Sequence, residues 1–177
     1  MNLLLRLMWI VLRARFAARH TPLTAPIRRR FRVWLTDQDM FLHMTNSRYL
    51  SFSDLGRVDL FTRSGLNRLL RQKGWRTSIS AQTMTINRML KTPNAFELET
   101  RVHGWNDQFL VVEQTFLRKG RNHATVATLL EIQDETGGPV APQTLAGLFS
   151  PKLESPHLPK ALIDLINSTR KSRQSEE

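Results

Sequence analysis

Four polar residues lie close together in a segment that leads from an extended stretch into a helix. They are Asp37, Asp39, His43 and Asn46. The first N–H groups of a helix carry partial positive charge and point out of its end. A carboxylate beside such amides has the minimum needed to hydrolyse a carbonyl compound: a group that activates water or attacks, and donors for the oxyanion. The alternative is that Asp37 and Asp39 are turn and capping residues.

Two further side chains of this region allow a catalytic and a structural interpretation. His43 could orient a substrate carbonyl or contact Asp39, or it could be a structural loop histidine. Asp54 could be a half-buried acid that faces the site. Its alternative role is an i,i+3 ion pair with Arg57, comparable to the i,i+4 pair that the spacing of Asp59 and Arg63 predicts.

Composition excludes several other chemistries. The 177 residues include no cysteine, which rules out disulfides, thiolate zinc sites and a cysteine nucleophile. The five histidines show no paired metal spacing, and the sequence has neither a glycine-rich phosphate loop nor a Gly-x-Ser-x-Gly elbow. We therefore expect no metal and no cofactor.

The net charge of +11 is concentrated at the N-terminus. Residues 1–32 contain eight arginines and no acid, whereas residues 33–151 contain 13 basic and 11 acidic residues. A nucleic-acid-binding surface would place the charge on the folded domain. The nearly neutral body makes nucleic acid the least expected partner.

The N-terminal arm, residues 1–27, begins with an apolar run that Arg6 interrupts. The run is about half the length of a spanning helix, and the arginines after it argue against a secretory signal, although alanines keep that alternative open. We expect an amphipathic segment that lies on an anionic bilayer or packs on the protein's own body. Residues 1–20 would then make peripheral membrane contact in a cytoplasmic protein, and residues 21–26 would form a linker.

The rest of the chain reads as one α+β domain, residues 28–150, followed by a polar C-terminal tail, residues 151–177. Alternating residues predict a strand over 31–36, and possible caps precede a helix that runs to about Arg63. Four antiparallel strands follow, at 77–89, 96–103, 109–117 and 124–132. Apolar residues surround the helix axis, which predicts a helix enclosed by a curved sheet. In the tail we expect a short helix near 161–167 and disorder from 168.

The motif Asp37-x-Asp39-x-x-x-His43-Met-x-Asn46-x-Arg48-Tyr49-Leu50, with Asp54-x-x-Arg57 and Phe61-x-Arg63-x-Gly65 after it, resembles a known family. It is similar to hotdog-fold acyl-CoA thioesterases of the 4-hydroxybenzoyl-CoA thioesterase type, in the branch with a D-x-D-x-x-x-H-M-N-N-x-R-Y-L signature. The chain departs from that signature in one place, where Thr45-Asn46 replaces two asparagines. The likeness covers roughly residues 31–149 and implies a hotdog fold with about five strands.

The resemblance also implies an activity and an assembly. Asp39 takes the position of the catalytic aspartate, a general base or nucleophile, and Asn46 the position whose backbone N–H polarises the thioester carbonyl. His43 matches a histidine common in the branch. We expect an acyl-CoA thioesterase that works as a homodimer or a dimer of dimers. The alternatives are a non-catalytic acyl-CoA or CoA-ester binding protein tethered to a membrane, a dehydratase acting on hydroxyacyl thioesters and, last, a nucleic-acid binder.

Overall fold

A computed structural model describes residues 3–16, 21–149 and 153–174. The chain divides into two compact units. The first comprises Met1–Arg68, Met84–Arg101 and Glu113–Val126, and the second comprises Leu69–Thr83, Val102–Val112 and Ala127–Glu177. Each of the four long strands contributes residues to both units.

The helices are α1 (Leu3–Phe16), α2 (Asn46–Arg63), α3 (Leu66–Lys73), α4 (Pro142–Ala146) and α5 (Lys160–Gln174). The strands are β1 (Ile27–Arg32), β2 (Arg76–Ile86), β3 (Ala95–Trp105), β4 (Leu110–Arg118), β5 (Arg121–Gln133) and the short β6 (Pro139–Val140). The sheet has the strand order β1-β3-β4-β5-β2, and β6 pairs with β5. The predicted α+β hotdog fold is confirmed, as are the four strands after the long helix, to within a few residues at their ends.

Helix α2 is buried on most of its circumference, as its apolar pattern predicts. Its buried residues include Tyr49, Phe52 and Leu60, which do not lie on one stripe. Helix α2 lies very close to β3 at Gly56, where an added Cβ would lie 2.5 Å from Oγ1 of Thr100. Aromatic rings from β1, β3 and β4 pack around the first half of the helix, with centroids 5.0 to 5.8 Å apart. The core of the first unit therefore fixes the helix whose N-terminus carries the candidate site.

The first strand lies earlier in the sequence than predicted. It spans 27–32 instead of 31–36 and pairs antiparallel with β3, so that Ile27 lies opposite Thr100. Arg28 and Arg30 are exposed and lie opposite Glu99 and Glu97, which accounts for arginines in a strand. The alternation of residues within one segment does not show which of them pair with another strand. Helix α3 was not predicted from the sequence.

The C-terminal segment is more ordered than the composition suggests. Helix α5 continues through residues 168–174, where disorder was predicted; residues 175–177 lie outside the described part. Leu162 and Ile166 pack with Phe109 and Leu129 in the core of the second unit. Further along, Arg170 binds the Asp107 carboxylate at 2.5 Å. The helix is therefore longer than the apolar segment predicted at 161–167, and core packing holds its first half.

The arm contributes helix α1, which is part of the first unit. Arg6 and Ile10 are buried, and Ile10 belongs to the same core as Tyr49 and Phe52. The opposite side of α1 is also apolar: Leu5, Met8, Trp9 and Leu12 are exposed. Among the described helices, none combines the length and hydropathy that crossing a bilayer requires. Of the two predicted roles of the arm, packing on the protein's own body is the one these contacts support.

Candidate functional site

The loop that joins β1 to α2 is closed on itself by backbone hydrogen bonds. The Asp39 N–H donates to the His43 carbonyl at 2.9 Å, and the Thr45 N–H donates to the Asp37 carbonyl at 3.0 Å. The Met44 N–H donates to the Leu90 carbonyl at 2.8 Å, which ties the loop to the segment after β2. These bonds hold the loop at the N-terminus of α2 and limit the positions that Asp39 can take.

Asp39 uses one carboxylate oxygen to fold the loop and leaves the other available. Its Oδ1 accepts hydrogen bonds from the N–H groups of Phe41 and His43, at 2.9 and 3.1 Å. Within the described residues, Oδ2 has no hydrogen-bond partner, and the side chain is exposed. The carboxylate is therefore oriented by the main chain while one oxygen can meet a substrate or a water molecule.

The tip of this loop is apolar and has an uncommon backbone conformation. Met40, Phe41 and Leu42 are all exposed, and Leu42 has a φ of 61°. A branched residue at positive φ is strained, since the left-handed conformation costs an ordinary residue about 1 to 2 kcal/mol. Such strain is found most often in functional loops.

The N-terminus of α2 offers free donors. Thr45 precedes the helix, but its hydroxyl contacts the Ser47 hydroxyl at 3.1 Å and caps no helix N–H group. In the described part of the chain, the N–H groups of Asn46 and Ser47 have no acceptor. Asn46 itself is exposed. Two amides are thus available for an oxyanion or a carbonyl oxygen, as the sequence predicts for this helix end.

Of the three predicted site residues, the structure brings two into direct contact. Asp39 and His43 are joined through the main chain and through Asp39 Oδ1, and His43 also forms a backbone bridge with Lys91. No hydrogen bond between described residues links Asn46 to either of them. Their catalytic roles stay predictions.

Asp37 and Asp39 lie two residues apart in different surroundings. Asp37 is fully buried and forms a two-pronged ion pair with Arg6 of α1, with N···O distances of 3.1 and 2.7 Å. It also accepts the Trp34 N–H at 2.9 Å, and Arg48 lies 3.5 Å away. Asp37 therefore has a structural role. Its bond from the Trp34 N–H agrees with the predicted turn or capping alternative, whereas the ion pair with Arg6 was not predicted. The anchoring role of Arg6 was missed; its one signal is a single charge within the apolar run.

The ion-pair alternatives for the acids of α2 are confirmed. Asp54 pairs with Arg57, and Asp59 pairs with Arg63 at 2.9 Å. Asp59 is buried and also binds Arg29 of β1 at 2.7 Å, a contact between distant segments that spacing could not predict. Burial lowers the pKa of Arg57, and the Asp54 carboxylate opposes that shift.

Comparisons with known proteins agree with this architecture. The family model of the Thioesterase-like superfamily matches residues 33–163. Protein THEM6 of Xenopus laevis is 30% identical over 138 residues, which cover 78% of this chain and 66% of that protein. Protein THEM6 of Danio rerio is 29% identical over 97% of this chain and 84% of its own length. The crystal structure of DHNA-CoA thioesterase from Staphylococcus aureus superposes with a TM-score of 0.58 at 13% identity, covering 86% of this chain and 95% of that one.

Proposed function

Because this chain belongs to the thioesterase-like superfamily, we propose that it hydrolyses acyl-CoA thioesters to a free acid and coenzyme A. Membership in the superfamily supports thioester hydrolysis as the general activity. The observation that carries the proposal is the loop between β1 and α2, in which an oriented carboxylate with one free oxygen precedes two free helix amides. That pairing is what attack on a thioester carbonyl requires.

In the proposed reaction, Asp39 acts as the general base. Its Oδ2 removes a proton from water, whose oxygen attacks the carbonyl carbon of the thioester. The N–H groups of Asn46 and Ser47 stabilise the oxyanion of the tetrahedral intermediate. The intermediate then collapses, the C–S bond breaks, and the thiolate of coenzyme A takes up the proton that Asp39 removed from water. A direct attack by Asp39, through an anhydride that water hydrolyses, uses the same groups.

The choice of a CoA thioester rests on the motif around Asp39 and on the neighbouring structure that acts on a CoA ester. The motif is similar to the branch with 4-hydroxybenzoyl-CoA thioesterase, and Tyr49 within it contributes to the scaffold. The buried Tyr49 hydroxyl accepts the Leu90 N–H at 3.0 Å and so secures the segment that holds Met44. Burial raises the pKa of Tyr49, which keeps this hydroxyl neutral.

We propose a homodimer as the active form, or a dimer of such dimers. The exposed tip residues Met40, Phe41 and Leu42 adjoin Asp39 and have apolar surface that a second copy would cover. The mass measured by light scattering over a concentration series tests this assembly. A monomer at every concentration that supports turnover would contradict it.

The test of the activity is steady-state hydrolysis across a panel of acyl-CoA esters. Asp39→Asn should lower kcat by roughly 10²-fold or more, the scale of a lost general base. Asp54→Asn is the matched control: it removes an exposed carboxylate from the following helix and should leave kcat unchanged. Equal activity of Asp39→Asn and wild type would refute the assigned mechanism.

The second candidate is an acyl-CoA or CoA-ester binding protein without turnover, held at a membrane by α1. It is favoured by the outward face of α1, where Leu5, Met8, Trp9 and Leu12 are exposed. Peripheral membrane contact of a cytoplasmic protein is part of this proposal. Wild-type protein that binds an acyl-CoA ester but releases no free thiol would favour this candidate over the enzyme.

Removing the whole arm would be a poor test of membrane contact, because Arg6 and Ile10 belong to the folded body. Leu5→Ser combined with Leu12→Ser changes only exposed residues. The double variant should co-sediment less with anionic vesicles than wild type while its Tm stays the same. Unchanged co-sedimentation would contradict a membrane role for this face.

A further inference from the structure

A second polar region of the first unit has no role in the scaffold described so far. Four cations and one imidazole line a cavity of about 350 Å³; they are Arg88, Arg118, Lys119, Arg121 and His123. Among the described residues that line this cavity there is no carboxylate. Among the described residues, none of its four cations has an acidic partner within ion-pair distance.

The fold holds like charges together at this cavity. β4 ends at Arg118 and β5 begins at Arg121, so that Lys119 and Gly120 form a two-residue hairpin loop with φ values of 49° and 73°. Such a loop places its flanking residues directly opposite each other. Opposed like charges destabilise a pair of strands. Three cations within the four residues of one tight turn therefore weaken the hairpin unless an anion binds there.

One wall of the cavity is held by main-chain hydrogen bonds between the segment after β2 and His123 of β5. The N–H groups of Asn87 and Arg88 both donate to the His123 carbonyl, at 2.9 and 3.0 Å. The His123 ring returns the contact, since its Nδ1 lies 3.2 Å from the Arg88 carbonyl. A carbonyl can only accept, which places the proton on Nδ1 and leaves Nε2 without a proton in the neutral ring. These contacts preorganise the wall of the cavity that Arg88 and His123 form.

The direction of the His123 pKa shift agrees with a site whose positive charges are not neutralised. Burial lowers the pKa of His123, and although the hydrogen bond to the Arg88 carbonyl opposes this, the charges of Arg118 and Arg88 lower it further. A bound anion would reverse that contribution of the two arginines and favour protonation of Nε2.

Arg88 of the cavity is linked to the candidate catalytic loop by a short path along the chain and one backbone hydrogen bond. Arg88 is two residues from Leu90, whose carbonyl binds the Met44 N–H, and Met44 is two residues from Asn46. The reach of a peptide chain places the Cα atoms of Arg88 and Asn46 within about 20 Å of each other. A CoA thioester has its phosphates at one end of an extended pantetheine arm and its thioester at the other.

We propose that this cavity binds the phosphate groups of the coenzyme A portion of the substrate. The inference rests on the proposed thioesterase function and adds the residues that make the protein selective for a CoA ester over a thioester without phosphates. Arg88, Arg118 and Arg121 bind phosphate oxygens, Lys119 adds a charge, and His123 becomes a donor when protonated.

The kinetic test compares two substrates with the same acyl group, an acyl-CoA and its N-acetylcysteamine thioester, which has no phosphate. Arg118→Gln and Arg121→Gln should each raise KM for the acyl-CoA by roughly tenfold, the scale of a charged hydrogen bond. Neither should change kcat/KM for the truncated thioester. Arg76→Gln on β2, outside the cavity lining, is the control with the same loss of charge and should change neither substrate.

The outcomes separate this inference from the proposed function. If Arg118→Gln and Arg121→Gln lose the same activity on both substrates, the phosphate site is overturned. If the wild-type protein hydrolyses neither substrate, the proposed function is overturned, and the phosphate site is then tested by binding. That test follows the His123 ring signals by NMR during titration with coenzyme A, 3′-dephospho-coenzyme A, phosphopantetheine and inorganic phosphate. Tightest binding of coenzyme A with a raised His123 pKa supports the site. Equal binding of inorganic phosphate and coenzyme A, or no response of His123, refutes it.

Discussion

The buried ion pair between Arg6 and Asp37 gives a sharp test of how the N-terminal helix supports the candidate site. In Arg6→Met, the Asp37 carboxylate stays fully buried, and its remaining partners among the described residues are the Trp34 N–H at 2.9 Å and the Arg48 Nε at 3.5 Å. Breaking a buried pair by removing one partner costs about 3 to 5 kcal/mol. The variant should therefore lose a large fraction of a typical folding free energy of about 5 to 15 kcal/mol.

The measurement is urea unfolding followed by circular dichroism, together with the Tm. For a chain of this size, a loss on that scale lowers the Tm by about 10 °C. Arg28→Met is the matched control, because its pair with Glu99 has a similar N···O distance, 2.6 Å, but its side chain is 61% exposed. Exposed ion pairs contribute little, and this control should leave the Tm nearly unchanged.

A second variant keeps the reasoning testable if Arg6→Met unfolds outright. Arg6→Met combined with Asp37→Leu replaces the pair with apolar side chains and leaves no buried charge, so that it should be more stable than Arg6→Met alone. Two results would refute the argument: equal stability of Arg6→Met and Arg28→Met, or a double variant less stable than the single one. Either would mean that α1 is not anchored through Asp37.

Two further predictions concern stability. Gly56→Ala should destabilise the fold by about 1 to 3 kcal/mol, since its Cβ would lie 2.5 Å from Thr100 Oγ1 and 2.9 Å from Leu98 Cδ2. Ser51→Ala on the same helix is the control. Equal urea midpoints of the two variants would contradict the close packing at Gly56. His123 has a pKa below its ordinary 6.5 in the folded chain because of burial, so the unfolded state binds more protons and stability should fall as the pH drops through about 6.5 toward the folded pKa. His123→Gln should reduce that dependence in unfolding curves between about pH 5 and 8, and an unchanged slope would show that other groups cause it.

Much of the fold was predictable because the relevant signals are local. The apolar pattern of α2 wraps around its axis, and Phe96, Leu98, Thr100 and Val102 alternate along β3 in both the sequence and the structure. The short loops between β3, β4 and β5 require antiparallel neighbours. The same locality explains the ion pair of Asp59 with Arg63, whose partners are one helical turn apart.

Other features depend on partners far away in the sequence. β1 could not be placed correctly, because its ends are set by its register with β3 and not by its own alternation. Helix α5 runs past its apolar segment, and there Arg170 contacts Asp107, 63 residues earlier. The pairing of β1 with β3 and the contact of Arg170 with Asp107 cannot be predicted from composition. Composition alone therefore led to the prediction of disorder over residues 168–177.

At the candidate site, the order of residues alone places Asp39, His43 and Asn46 close together, between a predicted strand and a predicted helix. The different roles of Asp37 and Asp39 arise only when the chain folds. Asp37 meets Arg6 and is buried, whereas Asp39 is exposed, because burial depends on which distant side chain supplies the opposite charge. The cavity of Arg88, Arg118 and Arg121 also arises from folding, since 30 residues separate the first arginine from the hairpin that completes it.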